Sequence, residues 1–159
     1  LRENGYYKGI KKEFGVKLTI EHCTDGALIA DDLAKEGFPV AVGPSFGHAS
    51  KYELRNKSFE TPGILDKAGC RVSIITDAPV IPQQYLALCA GLAVKSGMDE
   101  FAALQAITIN PARHLMIEKR VGSIEAGKDA DIVISDGNIM NSESCLKYTI
   151  IDGKVVYHV

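Results

Sequence analysis

The sequence predicts an α/β fold whose first part is a parallel sheet covered by helices. Three short apolar segments, 17–22, 39–43 and 71–76, are each separated from the next by a stretch with helical patterning, and this alternation is typical of β-α units. The second and third segments contain PVAV and VSII, near-continuous apolar runs that suit strands buried on both faces. From Val121 onward the pattern changes to strands alone.

The segment before the first strand has the spacing of a helix. Tyr6, Ile10 and Phe14 recur every four residues, which places them on one helical face. Gly15 follows directly, and glycine is a common residue just after the last turn of a helix. We therefore predict a helix over 3–14.

Four further helices are predicted from apolar spacing and terminal residues. They cover 26–37, 61–70, 84–96 and 98–109. Gly37 closes the first of them, Pro62 suits the first turn of the second, and Asp99 suits the N-cap of the last. Asn110-Pro111 is expected to end that last helix, before one more short helical turn.

Residues 121–159 predict antiparallel β-structure. The segments GSIEAGKDADIVISDG and LKYTIIDGKVVYHV contain many β-branched residues. Asp152-Gly153, between TII and KVVY, favours a hairpin, because both turn positions must accept positive φ. We therefore divide the chain into a β-α part, 1–120, and a β part, 121–159.

Three parallel strands do not make a self-sufficient sheet. Both edges would expose unpaired N–H and C=O groups, and such edges are usually covered. A complete (β/α)8 barrel needs about 250 residues, whereas this chain has 159. We expect the C-terminal part of a larger β-α assembly; the alternative is a small open α/β domain that begins with a helix.

Composition narrows the class of protein. The formal net charge is −2 and the pI about 6.1, so no surface for nucleic acid or anionic lipid is expected. The longest apolar run, 85–94, is far shorter than the roughly 20 residues of a membrane span. The four cysteines form no CxxC pair, which favours reduced thiols in a cytoplasmic protein over a disulfide framework.

Two predicted strand ends carry side chains suited to metal chemistry. His22 ends the first strand and Asp77 the third, and functional groups in parallel β-α folds cluster at the carboxyl ends of strands. Imidazole nitrogen and carboxylate oxygen both bind Zn²⁺ well. A bound metal would lower the pKa of a water to about 7, and Asp77 could accept its proton. The alternatives are a hydrogen-bonded His22 without metal and a turn role for Asp77.

The other histidines are weaker candidates. His48 lies in a polar, irregular loop after the second strand, where it could face substrate or solvent. We expect 45–57 to be the specificity loop, because it follows a strand end and is longer than the fold requires. His114 follows NPAR in a helical turn and is expected to be structural.

Several motifs together resemble the metal-dependent amidohydrolase superfamily, in particular its imidazolonepropionase-like members. The motifs are IEHCTDG, SIITDAPV, AITINPARHLMIEKRVGSIEAGKDADIVISDG and TIIDGKVVY. The resemblance implies that 1–120 is the C-terminal portion of a TIM-like (β/α)8 metal-dependent hydrolase barrel. It also implies that 121–159 contributes strands to a small β-sandwich accessory domain. The stretch 106–136 is the most specific part of the resemblance, and we interpret its role as structural and not catalytic.

The resemblance also implies roles and a reaction. His22 corresponds to the histidine that ends the sixth barrel strand, a metal ligand or a neighbour of the activated water. Asp77 corresponds to the aspartate that ends the eighth strand, a metal ligand and proton shuttle. The implied cofactor is a divalent metal, with Zn²⁺ expected. The implied reaction is hydrolysis of a carbon–nitrogen bond in a small substrate, such as a cyclic amide, an N-acyl amino acid or a dipeptide.

The departures from the family pattern bear on activity. The HxH pair of the family's first strand is absent, and its fourth-strand lysine or glutamate and fifth-strand histidine are expected to precede residue 1. Catalytic zinc sites normally use three protein ligands and a water, so this chain alone is expected to be nearly inactive. The alternative is a catalytically incompetent piece that forms a homo-oligomer or docks with a missing N-terminal half.

Overall fold

The computed structural model describes residues 13–47, 49 and 51–159. The strands are β1 Val40–Val42, β2 Val72–Ile74, β3 Ile132–Ser135, β4 Leu146–Ile151 and β5 Lys154–His158. The α-helices are α1 Ala30–Glu36, α2 Thr61–Lys67, α3 Leu86–Lys95, α4 Glu100–Ala106 and α5 Ile109–His114. Short 3-10 helices lie at Gly26–Ile29, Tyr52–Leu54 and Gln83–Tyr85. In the described ranges, no helix is long and apolar enough to cross a membrane.

The first part of the chain has the predicted parallel pairing. β1 and β2 pair in parallel, with Val40 opposite Val72. The predicted first strand, 17–22, is shorter than expected, because it forms only an isolated parallel bridge between Ile20 and Val40. Its regular pairing is limited because β1 begins only at Val40 and leaves residues 17–19 without a regular partner strand. The three segments nevertheless neighbour one another in parallel, as predicted.

Helices cover one face of these strands. The side chains of Val40, Val42, Val72 and Ile74 all belong to one buried apolar cluster, as expected for alternate residues of paired strands. On the helix side this cluster contains Leu33, Leu65, Cys89, Ala90, Ala93, Ala103 and Ala106. Small alanine side chains let the helices approach the sheet closely, and Leu65 is fully buried between them. An α/β fold is thus confirmed for this part of the chain.

Most predicted helix ends agree with the structure. Gly37 adopts a φ of 68° and its N–H donates to the carbonyls of Leu33 and Ala34, as expected for a glycine that closes a helix. The Asp99 carboxylate accepts a hydrogen bond from the Ala102 N–H at 2.9 Å, which confirms the N-cap. The predicted helix 3–14 lies almost wholly outside the described residues.

The prediction that Asn110-Pro111 ends a helix was wrong. α4 ends at Ala106, and both residues lie in the first turn of α5. Proline is tolerated there because first-turn N–H groups have no acceptor within the helix. The Asn110 side chain instead donates to the carbonyl of Val72 at 2.9 Å in the protein interior. This contact attaches α5 to β2.

The last part of the chain forms a three-stranded antiparallel sheet in the order β3-β4-β5. Asp152 and Gly153 have φ values of 50° and 73°, so the predicted hairpin turn is confirmed. Met140, in the connection between β3 and β4, is buried in the apolar cluster of the first part. The boundary at residue 121 and the β-sandwich assignment stay predictions.

Leu65→Ala should lower the free energy of unfolding by about 2–5 kcal/mol, because it removes a fully buried side chain and leaves a cavity. Urea denaturation followed by circular dichroism would measure this loss. Ile64→Ala is the matched control, because the neighbouring side chain is 41% exposed and its removal should cost at most about 1 kcal/mol. Equal losses in the two variants would contradict the proposed packing.

Candidate active site

His22 and Asp77 meet at the carboxyl ends of the parallel strands. The distance between His22 Nε2 and Asp77 Oδ2 is 3.3 Å, and their side chains are 53% and 39% exposed. The structure therefore brings together the two residues that the sequence selected as a metal pair, at an edge open to solvent. Their chemical roles stay predictions.

Unusual backbone conformations turn both side chains toward this point. His22 has a φ of 66° and Asp77 a φ of 53°, in the left-handed region that non-glycine residues rarely adopt. Such conformations cost about 1–3 kcal/mol each and cluster at functional sites. Because His22 departs from the extended conformation, the alternation of side chains along a strand does not determine where its imidazole points.

The two side chains reach each other across the end of the middle strand. Neighbouring strands lie about 4.7–4.9 Å apart, so residues two strands apart need long side chains to meet. The middle strand, β1, is followed by Gly43, which contributes no side chain. The Gly43 N–H donates to the His22 carbonyl at 3.3 Å. This hydrogen bond ties the backbone of the histidine to the sheet.

The separation of 3.3 Å between His22 Nε2 and Asp77 Oδ2 suits a direct contact, and it also allows both side chains to bind one metal ion. Among the described residues, however, no group of three or more His, Cys, Asp or Glu side chains could hold a metal ion. The pair thus fits two ligand positions.

Cys23 follows His22 and packs against the apolar cluster beneath it. Burial raises the pKa of its thiol to about 11, and the neighbouring Cys70 adds to the effect. Its sulfur packs over Gly26, where an added Cβ would lie 2.5 Å away. Cys23 is therefore part of the packing beneath the site.

A small, partly open cavity of about 10 Å³ adjoins His22. Its walls come from the strand ends and from the following polar loop. They are formed by His22, Thr24, Val42, Gly43, Pro44, Ser45, Lys57, Ser58 and Thr61. His48, predicted to contact substrate, lies outside the described residues.

The sequence did not predict a contact between His114 and Glu21, the residue that precedes His22. His114 Nε2 lies 2.7 Å from Glu21 Oε1, and only 10% of the His114 side chain is exposed. The Thr19 hydroxyl donates to the same Glu21 oxygen at 2.8 Å. Burial raises the pKa of the Glu21 carboxyl, but the hydrogen bonds from His114 and Thr19 outweigh it and the pKa is lowered. The partners are 93 positions apart, and no local motif connects them.

The sequence profile of the Amidohydrolase family matches residues 8–156. The chain belongs to the amidohydrolase family. It is 41% identical over 73 residues to an imidazolonepropionase of Thermoplasma acidophilum. The aligned region covers 45% of this chain and 18% of that protein. The chain is 30% identical over 133 residues to a 5-methylthioadenosine/S-adenosylhomocysteine deaminase of Thermoanaerobacter pseudethanolicus. This aligned region covers 77% of this chain and 30% of that enzyme.

A crystal structure of an amidohydrolase from Thermotoga maritima has the same fold. It matches with 38% identity and a TM-score of 0.88, over 96% of this chain and 40% of the other chain. These similarities confirm the resemblance to imidazolonepropionase-like amidohydrolases. The chain spans less than half the length of each of these proteins.

Gly43→Ala should destabilise the fold by about 2–4 kcal/mol, because overpacking adds to backbone strain. Gly43 has a φ of 143°, and an added Cβ would lie 2.0 Å from the carbonyl oxygen of Ile75. Gly69→Ala is the control, since Gly69 also has a positive φ, 97°, but faces open space. It should cost only about 1 kcal/mol. Similar unfolding free energies for the two variants in urea would show that the strand ends do not approach as described.

Proposed function

We propose that these residues are the C-terminal part of a metal-dependent hydrolase that cleaves a carbon–nitrogen bond in a small molecule. The observation that carries the proposal is the 3.3 Å separation of His22 Nε2 and Asp77 Oδ2 at the carboxyl edge of the parallel strands. Family membership supports it, as do similar proteins named imidazolonepropionase and deaminase.

In this proposal, His22 and Asp77 hold a divalent metal, with Zn²⁺ expected. The metal would supply Lewis acidity and lower the pKa of a water. Asp77 accepts a proton from the attacking water while the oxygen–carbon bond forms. It then returns that proton to the nitrogen as the carbon–nitrogen bond breaks. Its half-exposed carboxylate leaves room for water and substrate to reach it.

The remaining ligands would come from the part of the longer amidohydrolases that this chain does not match. We propose that the segment at Ile20, β1 and β2 are the sixth, seventh and eighth strands of a TIM-like (β/α)8 barrel. The sheet β3-β4-β5 then belongs to an accessory β-sandwich. The cysteines at 23, 70, 89 and 145 are free thiols, which supports a cytoplasmic location.

A second candidate is a folded piece that is inactive by itself and associates through its apolar surface. It is favoured by large exposed apolar side chains on β5, where Val155, Val156 and Tyr157 are each at least 50% exposed. Exposed strands of this kind are covered in most proteins. The partner would be a second copy or the missing N-terminal half.

The proposed mechanism predicts that, in the complete protein, Asp77→Asn lowers kcat/KM by about 10²–10⁴-fold, because general acid–base catalysis contributes a factor of that size. Substrates to assay are cyclic amides, N-acyl amino acids, dipeptides and aminopurine nucleosides, with and without added zinc. Asp32→Asn is the control, because that half-exposed carboxylate lies on α1 and pairs only with Lys35 among the described residues. An Asp77→Asn enzyme with full activity would refute the mechanism.

The chain studied alone should bind zinc weakly and show almost no hydrolysis, because two ligands leave the metal largely to solvent. Equilibrium dialysis with zinc, together with size-exclusion chromatography and light scattering, would test this. Stoichiometric tight binding would contradict it. A concentration-independent monomer would argue against the self-associating alternative.

A further inference from the structure

The backbone turn that carries His22 is closed by the residues on either side of it. The Cys23 N–H donates to the Glu21 carbonyl at 2.8 Å, which makes a three-residue turn with His22 at its centre. The φ of 66° at His22 is close to the roughly +75° of the rare and strained form of this turn. Because more than half of the His22 side chain is exposed, the position of the imidazole depends on this turn more than on packing.

The sheet holds this segment only loosely at its end. The Ala41 N–H donates to the Ile20 carbonyl at 2.8 Å, whereas the Gly43 N–H reaches the His22 carbonyl at 3.3 Å. Among the described residues, Glu21 has no main-chain hydrogen bond to β1. A further restraint on the turn therefore has to act through a side chain.

The buried imidazole of His114 supplies such a restraint. Its Nε2 lies 2.7 Å from Glu21 Oε1, and it donates this hydrogen bond because an ionised carboxylate only accepts. His114 is the last residue of α5. Asn110 in the same helix donates to the Val72 carbonyl of β2 at 2.9 Å. Glu21 is thus attached to a helix that is itself attached to another strand.

We propose that His114 is a positioning residue, which acts through Glu21 to hold the turn that places the His22 imidazole opposite Asp77. The inference rests on the proposed function, since it names a residue that positions a member of the same site. β1 lies between the segment of His22 and β2, so these two segments do not pair directly. Through His114 and Asn110, α5 contacts both of them and fixes one relative to the other.

Amide hydrogen exchange in the metal-free complete protein tests the inference without turnover. His114→Leu removes the donor and keeps a side chain of similar volume. The Cys23 and Gly43 amides should then exchange about 10-fold faster, as expected for the loss of a hydrogen bond to a charged group. The Ile75 amide, which donates to Val42, should change less than about 2-fold. His114→Gln keeps a side-chain N–H donor and should restore most of the protection.

Two further variants make the exchange experiment decisive. Glu21→Ala removes the acceptor at a half-exposed side chain, so it tests the contact even if His114→Leu does not fold, and its effect should match. Arg113→Gln is the control, because this exposed neighbour of His114 donates to Asn110 of its own helix, and its exchange should equal that of the wild type. Unchanged exchange at Cys23 in the variants that lose the contact, or equal acceleration of all amides, would overturn the inference.

Zinc binding separates this inference from the proposed function. Competition with a chelator in the complete protein should show about 10-fold weaker zinc binding for His114→Leu and nearly normal binding for His114→Gln, as for other residues that orient metal ligands. Faster exchange at Cys23 with unchanged zinc affinity would overturn the positioning role. A wild-type protein that binds no zinc would instead refute the proposed function, and faster exchange at Cys23 would still support the hold of His114 on the turn.

Discussion

Parallel main-chain pairing of three successive segments determines where the candidate site lies. The Ala41 N–H donates to Ile20, the Gly43 N–H to His22, and the Ile75 N–H to Val42, so the three carboxyl ends lie along one edge. A slip of one residue in this register would turn alternate side chains to the opposite face of the sheet. The meeting of His22 with Asp77 therefore depends on backbone hydrogen bonds more than on any attraction between the two side chains.

The helices packed on the sheet stabilise the strained backbone at this edge. Left-handed conformations at His22 and Asp77 persist only where the surroundings determine the backbone strongly. That support comes from buried residues of the two strands, such as Val42 in β1 and Ile74, three residues before Asp77. The amide of Asn110, which binds β2 from the other end, adds to it. Stability and chemistry are thus divided between the buried strand interiors and the exposed strand ends.

Local signals in the sequence predicted most of the helices and strands. They did not predict contacts between residues that are far apart in the sequence. Gly37, Asp99 and Asp152-Gly153 act through their own backbone or the next turn, so a short window of sequence is enough to place them. The length of the first strand could not be predicted, because it depends on where the partner β1 begins. The contact of His114 with Glu21 depends on the packing of α5 against a segment far away in the sequence.

Three buried polar side-chain atoms depart from the pairing that is usual in proteins. Ser73 Oγ, His114 Nδ1 and Glu118 Oε2 are buried without a hydrogen-bond partner among the described residues, although buried polar atoms in native proteins are nearly always paired. Ser73 alternates with Val72 and Ile74, so it lies on the sheet face away from the helix layer. The Thermotoga amidohydrolase is matched over only 40% of its length. In the proposed complete hydrolase, further strands would supply the remaining ligands at this edge, whereas Ser73 is already only 2% exposed within this chain.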